Sequence, residues 1–214
     1  MNTLIVGLGN PGPFYANTRH QIGQVVVEMT AAALRAKFEE TDNGLVARTS
    51  WKTKDSMERE FLSLQIPTCG MNLSGTQIKS MLEEADSNPV FFEGGGFDRF
   101  FVVHDDMAIP FGQIRIKKNS GNHAGNNGIR SIVEQNVAFT QIKIGIGAPT
   151  NGRNALEHAL SPFEPRELAE LHSILLEAKR LAIRCGTEGK IEAMTVNVLK
   201  NETTLPSFEN ESIS

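Results

Sequence analysis

The chain has 214 residues, 40% of them hydrophobic, which suffices to bury one good core and favours a single domain. No apolar run approaches the roughly 20 residues needed to span a bilayer, and no basic N-terminal segment precedes a long apolar stretch, so neither a membrane span nor a signal peptide is expected. The net charge of −4 excludes a uniformly basic nucleic-acid binder, leaving the distribution of charge to decide the matter.

Leu4-Ile5-Val6 reads as a buried strand that stops in a sharp turn of Gly and Pro, Gly7 to Pro13. Gly7, Gly9 and Gly12 spell G-x-G-x-x-G, the fingerprint of dinucleotide binding. That fingerprint needs a helix opening at once and an acidic residue about 20 positions on, ending a second strand. Here Pro11 and Pro13 stiffen the turn, and Thr18 with Gln21 predicts a capping box that delays the helix to about Thr18. Apolar residues at Ile22, Val25, Val26, Met29, Ala33 and Leu34 predict that this helix runs to about Lys37, where a second strand would have to be. The dinucleotide reading therefore fits poorly. Asn10 leaves the strand end and His20 falls in the first helical turn, so both are expected to face one crevice at the carboxyl end of a strand.

Strands are predicted at about 45–51 and 60–66, joined by a charged turn at 52–59, with Pro67 ending the second. Ser74 and Gln77 predict another capping box, opening a helix through about Glu84, and Asn72 sits just ahead of it. A surface loop at 91–99 precedes a strand at 100–103, which His104-Asp105-Asp106 follows directly, and then an alternating strand at 113–117. A polar loop, 119–128, leads to a helix from about Ile129, and Gln141 to Gly147 is another strand. Helices at about 153–160, 165–185 and 188–199 close the pattern, and the last residues have little apolar periodicity. Strands alternate with helices, which predicts a single α/β domain over residues 1–199, a mixed β-sheet flanked by helices, with 200–214 as a loose C-terminal tail. Cys69 and Cys185 show neither C-x-x-C nor Cys/His ligand spacing, so no metal site is expected and reduced thiols place the chain in the cytoplasm.

Between Met107 and Arg153 six basic residues (Arg115, Lys117, Lys118, Arg130, Lys143, Arg153) face one acid, Glu134, so that segment is +5 and the remainder −9. A basic strip on an acidic body is the electrostatic footprint of a phosphate-binding face.

The stretch GLGNPG at 7–12, Tyr15, Thr18-Arg19-His20 and Gly23 resembles the opening of the bacterial-type peptidyl-tRNA hydrolases. Later motifs resemble that family in order and spacing: Met71-Asn72-Leu73-Ser74-Gly75, Val103-His104-Asp105-Asp106, Lys118 to Gly128, and Ile144-Gly145-Ile146-Gly147-Ala148-Pro149. The resemblance covers about residues 3–195 and implies a phosphorylase/hydrolase-like α/β fold, a monomer, no cofactor, and hydrolysis of the ester joining a peptide to the 3′ end of tRNA. It implies His20, Asp105 and Asn10 as the catalytic set, with His20 the base for water and Asp105 its orienting carboxylate. Tyr15, Met71, Asn72 and Asn127 are the implied substrate-binding residues, although core packing is an equally plain role for Met71. Lys117 and Lys143 are implied to clamp the 5′-phosphate of tRNA. The helix N-terminus is expected to favour the neutral, proton-accepting form of His20. No Ser or Cys nucleophile is required, Ser74 being better used as a helix cap.

Some positions depart from the family pattern. Gln21 replaces an asparagine, Gly70 an aromatic residue, and Asn126 the histidine of a GHNG motif, and the glycine-rich 91–99 loop is atypical. These departures leave a second expectation open: a diverged, non-catalytic RNA-binding relative that uses the same basic face.

Overall fold

The first apolar run forms β1 (Asn2–Gly7), every residue of which is buried. It lies between two parallel neighbours, β4 (Arg59–Ile66) and β5 (Arg99–Asp106), and helices cover both faces, which is why the run is continuous rather than alternating. The computed structural model describes residues 1–52, 59–87, 96–118, 121, 123–150, 152–188, 191–200 and 202–204. Most of the expected 52–59 turn and 91–99 loop, and residues 205–214 of the expected tail, lie outside these.

Among the described residues the other strands are β2 (Phe38–Thr41), β3 (Gly44–Lys52), β6 (Gln113–Lys118), β7 (Thr140–Gly145), β8 (Met194–Asn197) and β9 (Glu202–Thr204). They make a nine-stranded sheet in the order β2-β3-β4-β1-β5-β7-β6-β8-β9. Pairings β4–β1, β1–β5 and β5–β7 are parallel and the rest antiparallel, so the sheet is mixed, as expected. On one face α1 (Ile22–Ala33) and α5 (Pro165–Thr187) bury a core that includes Ile5, Val27, Leu64, Val103, Ile144 and Leu181. On the other, α2 (Ser74–Ser87) and α3 (Asn127–Glu134) cover Leu4, Val6, Val102, Ile78, Met81 and Ile129. The short α4 (Ala155–Ala159) precedes α5.

The glycines of the fingerprint-like stretch serve packing. A Cβ on Gly7 would come 2.5 Å from the Gly23 carbonyl oxygen and 2.8 Å from Val27 Cγ2, and one on Gly23 would run into the carbonyl oxygen of Val103. Helix α1 can approach β1 and β5 this closely only because neither position has a side chain. Gly23→Ala is therefore expected to lower stability by about 1–3 kcal/mol, as overpacking does. A urea midpoint unchanged by the substitution would contradict that close approach.

Four expectations are corrected. Helix α1 ends at Ala33, not Lys37: Arg35 takes φ +55°, and the N–H groups of Arg35 and Ala36 return to the carbonyls of Ala32 and Ala31. That is a Schellman stop with arginine where glycine is usual, so the stop was hidden and β2 with it. The predicted helix at 188–199 is instead β8 and a 3-10 turn, because β6 offers an open edge that Met194–Asn197 pair along and Val196 is buried there. Thr18 does not close a capping box; its hydroxyl donates to the Tyr15 carbonyl (2.8 Å), and the first turn after it, Arg19–Gln21, is 3-10. Nor does Ser74 cap: a 3-10 turn, Met71–Leu73, runs into it, Ser74 is itself helical and fully buried, and the Gln77 amide holds Thr68.

Candidate active site

Side chains alternate along β5, so Val103 and Asp105 point to the α1 face while His104 and Asp106 point to the α3 face. Asp105 therefore meets the 3-10 turn that opens into α1. His20 Nδ1 lies 2.7 Å from Asp105 Oδ1, with the two side chains only 12% and 4% exposed. The carboxylate acceptor assigns the proton to Nδ1, which leaves the Nε2 lone pair for the adjoining cavity. This cavity has a volume of about 270 Å³ and is lined by His20, Asp105, Met107, residues 124–127, Ala155, Leu156 and Ala159.

Burial disfavours the imidazolium, but the Asp105 charge and hydrogen bond together outweigh it and the His20 pKa is raised. For Asp105 burial likewise opposes ionisation, and the His20 charge and hydrogen bond overcome it, holding the carboxyl below its usual range. Both directions describe one ion pair stabilised by contact. The expectation that the helix terminus keeps His20 neutral is corrected: a carboxylate in contact acts more strongly than the end of a helix, and His20 is a stronger base than a free imidazole.

Asn10 follows β1, and its main chain is gripped by the residue after His20. The Asn10 N–H donates to Gln21 Oε1 (2.6 Å) and its carbonyl accepts from Gln21 Nε2 (2.9 Å). Asn10 Oδ1 accepts from the Met71 N–H (3.0 Å), which leaves Nδ2 without a partner among the described residues. Gln21, a departure at the level of sequence, thus joins Asn10 to the histidine turn. Asn127, the first residue of α3, is exposed and lines the cavity. Asn72 is exposed on the 3-10 turn that Asn10 anchors, and Tyr15 is half-buried in the 10–18 turn; neither these two nor Asn10 is among the residues lining the cavity.

Two expected binding residues are corrected. Met71 is 5% exposed and packs in the α2/α3 core, where a Cβ on Gly128 would meet its sulfur at 2.5 Å, so the thioether is not available to a ligand. Lys143 is not a surface cation: its side chain is 7% exposed and its Nζ lies 2.8 Å from Asp106 Oδ2. Lys117, by contrast, is exposed on β6 and without an ion pair among the described residues. Its neighbour on the same face, Arg115, is also exposed and sits opposite Lys143 in the sheet.

Sequence reasoning missed Asn126, which it recorded only as a departure. Asn126 is the N-cap of α3, accepting from the N–H groups of Gly128 and Ile129, and its Nδ2 lies 3.0 Å from Asp105 Oδ1. An Asn directly before a helix is the usual cap signal. Placing the helix start at Ile129 instead of Asn127 obscured it. Among the described residues no group of three or more His, Cys, Asp or Glu side chains is arranged to hold a metal ion, and no helix is long and apolar enough to cross a membrane.

The family model described as peptidyl-tRNA hydrolase matches residues 4–204. A peptidyl-tRNA hydrolase of Thermodesulfovibrio yellowstonii is 34% identical over 195 residues, covering 90% of this chain and 97% of its own. One from Mycobacterium tuberculosis is 37% identical over 191 residues, covering 86% and 93%. Among solved structures, peptidyl-tRNA hydrolase from Acinetobacter baumannii superposes with a TM-score of 0.63 at 27% identity, covering 86% of this chain and 92% of that one. A peptidyl-tRNA hydrolase in complex with N-propanol gives a TM-score of 0.66 at 28% identity, covering 85% and 88%.

Proposed function

The chain belongs to the peptidyl-tRNA hydrolase family, and from that premise we propose how its site performs the reaction. The protein is a hydrolase of peptidyl-tRNA, and tRNA is its partner. The observation that carries the mechanism is the His20–Asp105 pair at 2.7 Å on the wall of the cavity. A pure RNA-binding surface has no use for a buried carboxylate keyed to an imidazole.

His20 Nε2 takes a proton from water as the water oxygen attacks the carbonyl carbon of the ester linking the peptide to the 3′ ribose. The imidazolium that forms is stabilised by Asp105, which keeps its own charge. The amide of Asn127 on the cavity wall supplies a donor to the oxyanion, and Asn10, outside that lining but with Nδ2 unpartnered among the described residues, supplies one to the peptide backbone. Collapse of the intermediate breaks the bond to the ribose oxygen, which takes the proton back from His20. The products are a peptide carboxylate and a free 3′ hydroxyl, with no covalent enzyme intermediate.

The tRNA acceptor end then lies along the basic strip. Lys117, aided by Arg115 beside it, meets the 5′-phosphate, while Lys143 braces the sheet beneath through Asp106. The two lysines are expected to behave differently. Lys117→Ala weakens tRNA binding and reduces the slope of log K against log salt by about 1. Lys143→Ala strands the Asp106 carboxylate and costs stability, about 3–5 kcal/mol for a buried pair broken on one side. Binding across a salt series together with thermal melts separates the two roles. A monomer working in the cytoplasm completes the proposal.

The test is release of free tRNA from an N-acetylated aminoacyl-tRNA, with the unblocked aminoacyl-tRNA as control. Cleavage of the blocked substrate alone is the expected result. Binding of tRNA without cleavage of either substrate would replace the enzyme with the RNA-binding relative.

A further inference from the structure

We propose that Asn126 is a positioning residue: oriented by the start of α3, its amide holds the Asp105 carboxylate that in turn holds His20. The proposal rests on the reading of His20 as base but concerns a cavity-wall residue whose polar atoms are all spent on partners within the protein.

Asn126 is 6% exposed and each of its polar atoms is engaged. Its N–H donates to the His123 carbonyl (2.7 Å) and its carbonyl accepts from the Arg130 N–H (3.0 Å). Its Oδ1 accepts from the N–H groups of Gly128 (3.0 Å) and Ile129 (3.1 Å). These two donors, which a helix start always presents, fix which end of the amide faces α3. The NH₂ end must then face β5, where it donates to Asp105 Oδ1 at 3.0 Å. The reversed amide would set NH₂ against two N–H groups and an oxygen against a carboxylate, so the partners leave one orientation.

Asp105 Oδ1 thus receives two donors, His20 Nδ1 at 2.7 Å and Asn126 Nδ2 at 3.0 Å. A carboxylate whose Oδ1 is held by a second donor, from another element of the fold, keeps its place when the histidine changes charge. It stays ionised, keeps the imidazole tautomer fixed, and keeps Nε2 aimed into the cavity. The same cap sets the phase of α3 and so delivers Asn127 to the cavity wall. Among the described residues the titratable groups facing the pair are few: Asp105 acts on His20, and His20 and the buried His104 act on Asp105, while the remaining cavity lining is uncharged.

Asn126→Asp and Asn126→Ser both retain an oxygen that caps α3, so both preserve the helix start. The first puts a second carboxylate against Asp105; the second is too short to reach it. NMR titration of the His20 ring should show its pKa rising by about half a unit or more in Asn126→Asp, because added negative charge favours the imidazolium. For both variants kcat is expected to fall by about 10- to 10²-fold with KM within about 2-fold of the native value, as misplacement of a catalytic group does. In an Asp105→Asn background, Asn126→Ser should add little further loss, since its route to His20 is already cut. Should Asn126→Asp not fold, Asn126→Ser decides the matter by kcat and by the double substitution.

An unchanged His20 titration together with an unchanged kcat would overturn the proposal, and so would a loss confined to KM. Failure of the underlying reading looks different. His20→Ala would then keep its activity, whether or not Asn126 governs the titration of the ring.

Discussion

Replacing His20 with alanine should slow the release of tRNA from N-acetylated aminoacyl-tRNA by ~10²–10⁴-fold, the typical contribution of a positioned base. No other side chain among the described residues of the cavity wall can take its place. Asp105 is the one other titratable group there among the described residues, and it is spent on His20 and Asn126. Cys69 is half-buried with its thiol pushed up by burial, which suppresses the thiolate a nucleophile needs. The Ser74 hydroxyl is fully buried, with no base beside it among the described residues. The substitution removes the ring and leaves the basic strip in place, so tRNA binding is expected to persist. An alanine variant of near-native rate would exclude His20 as the base. A variant that neither cleaves nor binds would place His20 in recognition instead.

Asp105→Asn should cost ~10²-fold or more in kcat, because an amide of the same shape presents the imidazole with the wrong partner; in serine-protease triads such a change costs ~10⁴. It should also move the pH profile, and the sign follows from the shifts. Asp105 raises the His20 pKa against the opposing effect of burial, so with native protein the acid limb of the rate profile lies above the ordinary imidazole value of 6.5. In Asp105→Asn burial acts alone and that limb moves to lower pH. A limb that stays in place would show that Asp105 does not govern His20.

Stability carries the same signature. The raised pKa of His20 makes its contribution full below the unfolded value of 6.5 and lost as pH rises through the folded one. The depressed pKa of Asp105 makes its contribution full above the unfolded value of 3.8 and lost as pH falls through the folded one. The pair therefore stabilises most between about 4 and 6.5, and Asp105→Asn should destabilise more in that window than at alkaline pH. Melts at pH 5.5 and pH 9 would check it.

Residues that act through local spacing are legible in the sequence. The β1 run ends at the turn carrying Asn10, and His20 falls just ahead of α1, because a strand stop and a helix start are written in neighbouring residues. The order of motifs likewise pointed to Asp105 and Asn127. Lys143 reads as a phosphate-binding cation, and Met71 as either a substrate contact or a core residue, because a sequence shows what a side chain is, not which way its strand or turn presents it. Alternation along β5 and β7 turns Lys143 to the same face as Asp106, where the pair closes at 2.8 Å. The role of Asn126 is hidden for a related reason: the acceptor of its amide, Asp105, is 21 residues away, and no local pattern records that contact.

What the sequence determined by itself was the class of the domain, its family and the chemistry on offer, because strand and helix periods, turn residues and motif order are local properties. Only the tertiary structure decided that Asn126 holds the carboxylate serving the histidine, which lysine is free for phosphate, and where the last helix stops. Those outcomes depend on partners brought together across the sheet. The residues after α5 pair with β6 because that edge is open to them, and Asp105 belongs to His20 because β5 turns it toward α1.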